Sequence, residues 1–443
     1  MNLFKRLTPL LITSLLWAIP AHAVPPIQEQ QLNNGLQILL MEAHNVPMVS
    51  MQLSMVGGSR FDPDNKGGTA TLLAAMLGDH TARHDHEALA QLLDAEAIQL
   101  GAGADREGLN LSLTVLKEVL PTGINALAEA LLEPGWNKAR FRLIKENAIS
   151  AAQKAQEEPG TRAAQASVEL LFSEHPYGHP AGGTLASLKN IDLADLRRLY
   201  QAQLKPEGAV LAVSGDITMP ELLKLLEPAL AGWKGTPKQP LFEISRADDV
   251  HGATRQIEMQ TSQTLSQLVR LGPARRDADF FPTFVLNHIL GGGGFGSRLM
   301  EQVREKRGLV YGVYSYFIPL ATSGPFIITL QTRADQAEEA EEVVRSVLQK
   351  LFSGEIAGQE LKDAKANLIG GFAQRMDSNR ERVGLMSMIG VYNMPLNYLQ
   401  VWTQKVESVT LADIKIAAKT YLDPVQWNLL RVGPKSRVEA REK

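Results

Sequence analysis

Apolar residues recur along this chain in two rhythms, and each rhythm is met twice. Leu109, Leu111, Leu113 and Val115 sit at every second position, and so do Phe326, Ile328 and Leu330. That spacing predicts strands with one buried face. Phe141, Ile144, Ala148 and Ala151 follow the 3–4 spacing of a helix face, repeated by Leu361, Ala364, Leu368 and Phe372. The sharpest match is between Leu193-Ala194-Asp195-Leu196 and Leu411-Ala412-Asp413-Ile414, which lie 218 positions apart. The first leads to Leu204, Pro206 and Gly215, and the second to Leu422, Pro424 and Gly433, with identical internal spacing. Each predicts an amphipathic helix that stops near the proline and an apolar strand that runs to the glycine. Three matches in the same order at a nearly constant shift point to a duplicated unit.

Between the copies lies Gly235-Thr236-Pro237-Lys238-Gln239-Pro240, where no apolar period survives. It reads as a linker, assigned to residues 236–250. The first unit is placed at 24–235, the second at 251–434, and a charged tail at 435–443. Strands and helices do not alternate regularly within a unit. The expected class is therefore α+β, with two homologous layers, each a mostly antiparallel sheet with helices on one side.

The remaining features narrow the setting. Lys5 and Arg6 precede an apolar run from Leu7 to Ile19, followed by Ala21-His22-Ala23. This is the pattern of a cleavable export signal over residues 1–23, with Val24 as the mature start and the periplasm as destination. The run is too short and interrupted for stable membrane insertion. With 443 residues the chain can bury a sizeable core without disulfides, and it contains no cysteine. A disulfide, a thiolate metal site and a cysteine nucleophile are thereby excluded. A net charge of -3 gives no sign of a nucleic-acid partner.

Three segments carry a family likeness: Asn34-Gly35-Leu36, His175-Pro176-Tyr177-Gly178 and Arg304-Glu305-Lys306-Arg307-Gly308-Leu309-Val310-Tyr311. With the duplicated halves, they resemble the pitrilysin and mitochondrial-processing-peptidase family of zinc peptidases, the inverzincins, across essentially the whole mature chain. The resemblance implies a clam-like half-shell. It also implies an H-x-x-E-H helix whose two histidines bind zinc and whose glutamate acts as general base, with a further glutamate ligand downstream. On this sequence those positions fall at Thr71, Ala75, Ala74 and Ala151. None can hold zinc, so no cofactor is expected in this chain.

Members built from two chains divide the labour: one chain carries zinc and the other an arginine–tyrosine pair seven residues apart. Arg304 and Tyr311 match that pair, with Arg298 and Arg307 as nearby alternatives. The implied partner is a homologous zinc-bearing subunit, forming a heterodimer or higher assembly. The implied substrates are peptides. Arg304 would hold a substrate carbonyl or orient Tyr311, which would donate to the oxyanion. The stretch from Leu100 to Arg106, centred on Gly101, Ala102, Gly103 and Ala104, is the candidate edge for an added peptide strand.

The other candidates read as structure. Gly291 to Gly294 lack the G-K-[ST] ending of a phosphate loop and are expected to form a flexible loop admitting a peptide backbone. His80, His84 and His86 read as a solvated loop ahead of a surface metal site, and His175 and His179 as a turn. The alternatives to a peptidase subunit are an inert scaffold or peptide-binding protein of the same fold, and an enzyme with a different site. No G-x-S-x-G motif supports the last.

Overall fold

The computed structural model describes residues 25–242 and 244–434, so the expected signal and the charged tail lie outside the described residues. The first half runs β1 (Gln28–Gln31), β2 (Gln37–Glu42), β3 (Met48–Val56), α1 (Thr69–Leu77), α2 (His86–Ala95), β4 (Gln99–Ala104), β5 (Gly108–Leu116), α3 (Leu120–Leu132), α4 (Lys138–Ala155), α5 (Pro159–Phe172), α6 (Leu185–Asn190), α7 (Leu193–Gln203), β6 (Val210–Gly215) and α8 (Met219–Ala229). After a stretch whose described residues form neither helix nor strand, the second half runs β7 (Thr254–Glu258), β8 (Gln263–Leu271), α9 (Phe280–Asn287), β9 (Val313–Phe317), β10 (Pro325–Arg333), α10 (Ala337–Phe352), α11 (Gly358–Gly370), α12 (Asn379–Val391), α13 (Tyr398–Ser408), α14 (Leu411–Tyr421) and β11 (Asn428–Gly433).

The two sheets have one topology. The first is ordered β1-β2-β6-β3-β5-β4 and the second β7-β11-β8-β10-β9. Leaving out β1, each strand has a counterpart at the same place, and the one parallel pairing in each sheet is also shared, β2 with β6 and β7 with β11. The repeated motif explains its own geometry. Asp192 caps α7 by accepting from the Asp195 amide at 3.0 Å, and Thr410 caps α14 by accepting from the Asp413 amide at 3.2 Å. Gly215 closes β6 where a Cβ would stand 2.2 Å from the Met48 carbonyl oxygen, so no side chain fits.

Alternation sorts the first sheet into two faces. Met51, Leu53, Leu111, Leu113, Leu211 and Val213 pack beneath α1, α3 and α7. The opposite face is partly roofed by a helix from the second half. Val383, Met386 and Ile389 of α12 pack on Leu39, Met41, Val210 and Ala212. The counterpart helix α5 does the reverse, setting Ala163, Ala166, Leu171 and Phe172 against Val269, Ile327, Leu430 and Val432 of the second sheet. Each half thus covers the other's sheet. A fully buried apolar side chain contributes about 1.5–3 kcal/mol, so this exchange fastens the halves firmly.

A polar clasp adds direction. Glu107, 4% exposed, accepts from the Tyr177 hydroxyl, from the Tyr392 hydroxyl at 2.6 Å and from the Ala321 amide at 2.9 Å. Burial and the adjacent carboxylate push both tyrosine hydroxyls well above their usual titration range. Arg60 ties the same region to the connecting stretch by donating to the carbonyls of Pro240 and Leu241, each at 2.6 Å.

Candidate functional site

α1 is a packing helix. Ala70, Leu72, Leu73, Ala74 and Met76 are buried, and Gly68 begins the helix at φ 101°. The Asp62 carboxylate receives the amides of Gly68 at 2.7 Å and Ala70 at 2.8 Å. Burial pushes that carboxyl up to about 7 against the pull of the amides. α1 rests on α4, so the two helices that should bring zinc ligands together do meet. Their side chains do not suit a metal. Ala74 is 1% exposed within the core, Ala75 and Ala151 present methyl groups to solvent, and the half-buried Thr71 donates its hydroxyl to the Ala181 carbonyl at 2.7 Å. Among the described residues no group of three or more His, Cys, Asp or Glu could hold a metal ion.

The second half brings its expected pair together. Arg304 lies on a wide helical turn, Met300–Glu305, whose Met300 and Val303 are buried. Leu309 and Val310 are buried too, and the Thr332 hydroxyl donates to the Leu309 carbonyl, which fixes the backbone just before Tyr311. The Arg304 guanidinium carbon stands 4.6 Å from the Phe295 ring centre and 5.4 Å from that of Tyr311. Phe295 is 65% and Tyr311 89% exposed, so both rings face solvent while the arginine between them is half-buried. Neighbouring cations are committed elsewhere: Arg298 to Glu360 at 2.6 Å, Lys306 to Glu301 at 2.8 Å, and Arg307 to the Gln302 carbonyl at 2.6 Å. Arg304 has no such carboxylate among the described residues, so its donors stay available while two rings hold its plane.

Three sequence expectations need correction or refinement. The glycine run is not a flexible loop. His288–Gly292 continue α9 as a wide turn, and a Cβ on Gly291 would lie 2.6 Å from the Ser315 amide nitrogen, so the glycines serve close packing. The histidine cluster lies in a solvent-facing loop, as expected, except for His80, and its three rings are tied to carboxylates. His80 is buried against Asp79 at 2.9 Å, His86 reaches the same carboxylate at 3.2 Å, and His84 bonds Glu129 at 2.9 Å. Burial raises the Asp79 carboxyl, yet bonds from Arg140 and His80 hold it below its usual value. His175 does form a turn, with its Nε2 on the Ser245 carbonyl at 2.9 Å and its Nδ1 accepting from the Tyr177 amide.

β4 is the outermost strand of its sheet, as Gly101 to Ala104 were expected to be. The Glu107 clasp was not foreseen. Its partners Tyr177 and Tyr392 are 70 and 285 residues away, and the local signal, Asp105-Arg106-Glu107, is that of an ordinary hairpin turn.

Comparison with known proteins fits this anatomy. Residues 37–185 match the family described as insulinase (peptidase family M16), and residues 190–368 match the peptidase M16 inactive domain. A solved peptidase M16 inactive domain from Pseudomonas fluorescens is 31% identical, with a TM-score of 0.87 over 92% of this chain and 98% of that one. The chain belongs to peptidase family M16. This M16 chain is also 27% identical to a Helicobacter pylori protein named non-peptidase homolog YmxG, over 93% of this chain and 95% of that protein. It is 25% identical to an uncharacterised zinc protease of Mycobacterium bovis, over 91% and 92% respectively. A protease structure from Helicobacter pylori shares the fold at a TM-score of 0.86 and 19% identity, covering 93% of this chain and all of that one. The two-domain, clam-like architecture is that of the family.

Proposed function

We propose that this chain is the zinc-free subunit of an exported, periplasmic heteromeric metallopeptidase, in which it supplies Arg304 and Tyr311 to a cavity shared with a homologous zinc-bearing chain. The observation that carries this reading is the contrast between the halves. The zinc positions are filled by groups that cannot bind metal, while Arg304 keeps free donors beside an exposed Tyr311. A purely structural tyrosine would not be held at 89% exposure beside an uncommitted guanidinium.

Zinc in the partner would supply the activated water. Arg304 would hold a peptide carbonyl through its planar fork, and Tyr311 would donate its hydroxyl to the oxyanion of the tetrahedral intermediate. An extended substrate would pair with β4 through the outer row of N–H and C=O groups. Among the described residues no helix is long and apolar enough to cross a membrane.

The test is reconstitution. The purified chain alone is expected to bind no stoichiometric zinc and cleave nothing. Mixed with its zinc-bearing partner it should give peptidase activity, and Tyr311→Phe should lower kcat by on the order of 10²–10³ with assembly intact. Unchanged kcat in that variant would remove the role given to Tyr311. A second reading, an inert peptide-binding scaffold, is favoured by the name of the Helicobacter pylori relative. Stable assembly without activity in any combination would select it.

A further inference from the structure

The uncovered part of the first sheet's second face is built as a polar floor. Three cross-strand rows share that face: Gln99, Thr114 and Ser50; Gly101, Ser112 and Gln52; Gly103, Asn110 and Ser54. The alternate rows on the other face, such as Leu100, Leu113 and Met51, are apolar and lie in the core. A polar face is ordinary for an antiparallel sheet that is open on one side; what sets this one apart is that α12 roofs part of it and turns the rest into a recess. α12 covers the inner part, where Ser387 bonds Gln52 at 3.0 Å and Ser54 at 2.6 Å. Toward the edge the floor opens into a cavity of about 440 Å³, lined by Ser112, Asn110, Gln99, Gly101, Gly103 and, from the first turn of α12, Arg380.

Three features of this cavity point to one kind of occupant. Its lining carries a single charge, Arg380, and that guanidinium has no carboxylate partner among the described residues. The side chains of Asn110, Ser112 and Gln99 likewise make no hydrogen bond among the described residues. The outermost strand is bare on this face, because a Cβ at Gly103 would meet nothing within 4 Å. Among the described residues no strand pairs with β4 on its outer side, and neighbouring strands stand about 4.8 Å apart. A strand added there sends every second side chain onto this face, and the glycines let that side chain lie back across β4 onto the polar floor.

We propose that this groove is a side-chain subsite selecting a carboxylate, glutamate above all, from an extended peptide paired with β4. It rests on the reading of β4 as the peptide edge and adds the substrate's chemistry. A carboxylate would receive charge-assisted bonds from Arg380 and neutral ones from Ser112 and Asn110. A lysine would meet the like charge and no acceptor carboxylate.

The test uses the full mature chain without any partner. Fluorescence anisotropy would compare labelled extended peptides that differ at one central residue, Glu, Gln, Ala or Lys. Glu is expected to bind on the order of tenfold tighter than Lys, with Gln between. Arg380→Glu should reverse that order. Gly103→Val, which fills open space and favours a strand, should abolish binding of all four while the thermal midpoint stays unchanged. Equal affinity for Glu and Lys, no binding of any peptide, or full binding to Gly103→Val would each overturn the proposal. Selectivity for free acids such as glutarate equal to that for the Glu peptide would also overturn it, since no strand would then be needed. The readout is equilibrium binding by this chain alone, with no partner and no turnover, so this proposal and the catalytic one fail separately.

Discussion

Asp195 and Asp413 occupy the same place in two copies of one capping motif, yet their surroundings differ. Asp195 is almost fully buried and receives Lys66 at 2.6 Å, the Asp192 amide at 2.8 Å and Arg198. Burial alone would raise its carboxyl, but these donors hold it below the usual aspartate value. Asp413 is held by the Thr410 hydroxyl at 2.7 Å and amide at 2.8 Å, a surface cap. Asp195→Asn should therefore cost about 3 kcal/mol at neutral pH, because Lys66 loses its counter-charge. The sign with pH follows from a depressed folded-state value: the contribution is complete above the unfolded value near 4 and fades as pH falls through the lower folded one. Urea unfolding of both proteins at neutral and acid pH should show the gap closing in acid. A gap of constant size would assign the loss to packing. Thr410→Ala at the exposed cap should cost about 1 kcal/mol.

Helix α12 joins the halves, and its glycines show which contacts were invisible in the chain. A Cβ at Gly390 would come 2.5 Å from Val210 and 3.1 Å from Leu39, whereas a Cβ at Gly384, one helix face away, meets nothing within 4 Å. Gly390→Ala should then push α12 off β6 and destabilise by about 1–3 kcal/mol. Gly384→Ala should stabilise by about 0.5–1 kcal/mol through helix propensity. Thermal melts of the two variants should move in opposite directions, and a parallel shift would refute the close approach of α12 to β6. The strands and helices themselves were legible, because alternation in Leu109 to Val115 and the 3–4 spacing in Phe141, Ile144 and Ala148 are local patterns, although Ala151, expected on the same face, is exposed. The wide turn at His288–Gly292 was not legible, since a glycine's reason lies in the backbone it faces.

Three elements far apart in sequence meet at Glu107. Replacing it by alanine would leave the Tyr177 and Tyr392 hydroxyls and the Ala321 amide without their acceptor. Two or three stranded buried donors should cost at least about 3 kcal/mol. The halves also share the α5–α12 exchange, so the loss should show as looser coupling: in calorimetry, separate transitions where the parent has one, and faster proteolysis between residues 229 and 254. One unsplit transition at the parental midpoint would show that the exchanged helices alone unite the halves. The open edge of β4 and the exposed pair at Arg304 and Tyr311 lie in different halves, which is how one shell could present a peptide edge and an oxyanion donor to an assembly.

From the order of its residues alone this chain declares a duplicated α+β unit, because hydrophobic period, caps and turn residues act over a few positions and repeat at one offset. The family resemblance sets the expected zinc positions at Thr71, Ala74, Ala75 and Ala151, where alanine has no donor atom and a lone threonine hydroxyl is a poor ligand. Which half covers which sheet, where Glu107 finds its tyrosines, and that three rows of hydroxyls, amides and glycines form one floor under Arg380 were decided by the packed chain. Those contacts join positions tens to hundreds of residues apart, and their energies exist once the sheets and the exchanged helices have brought them within reach.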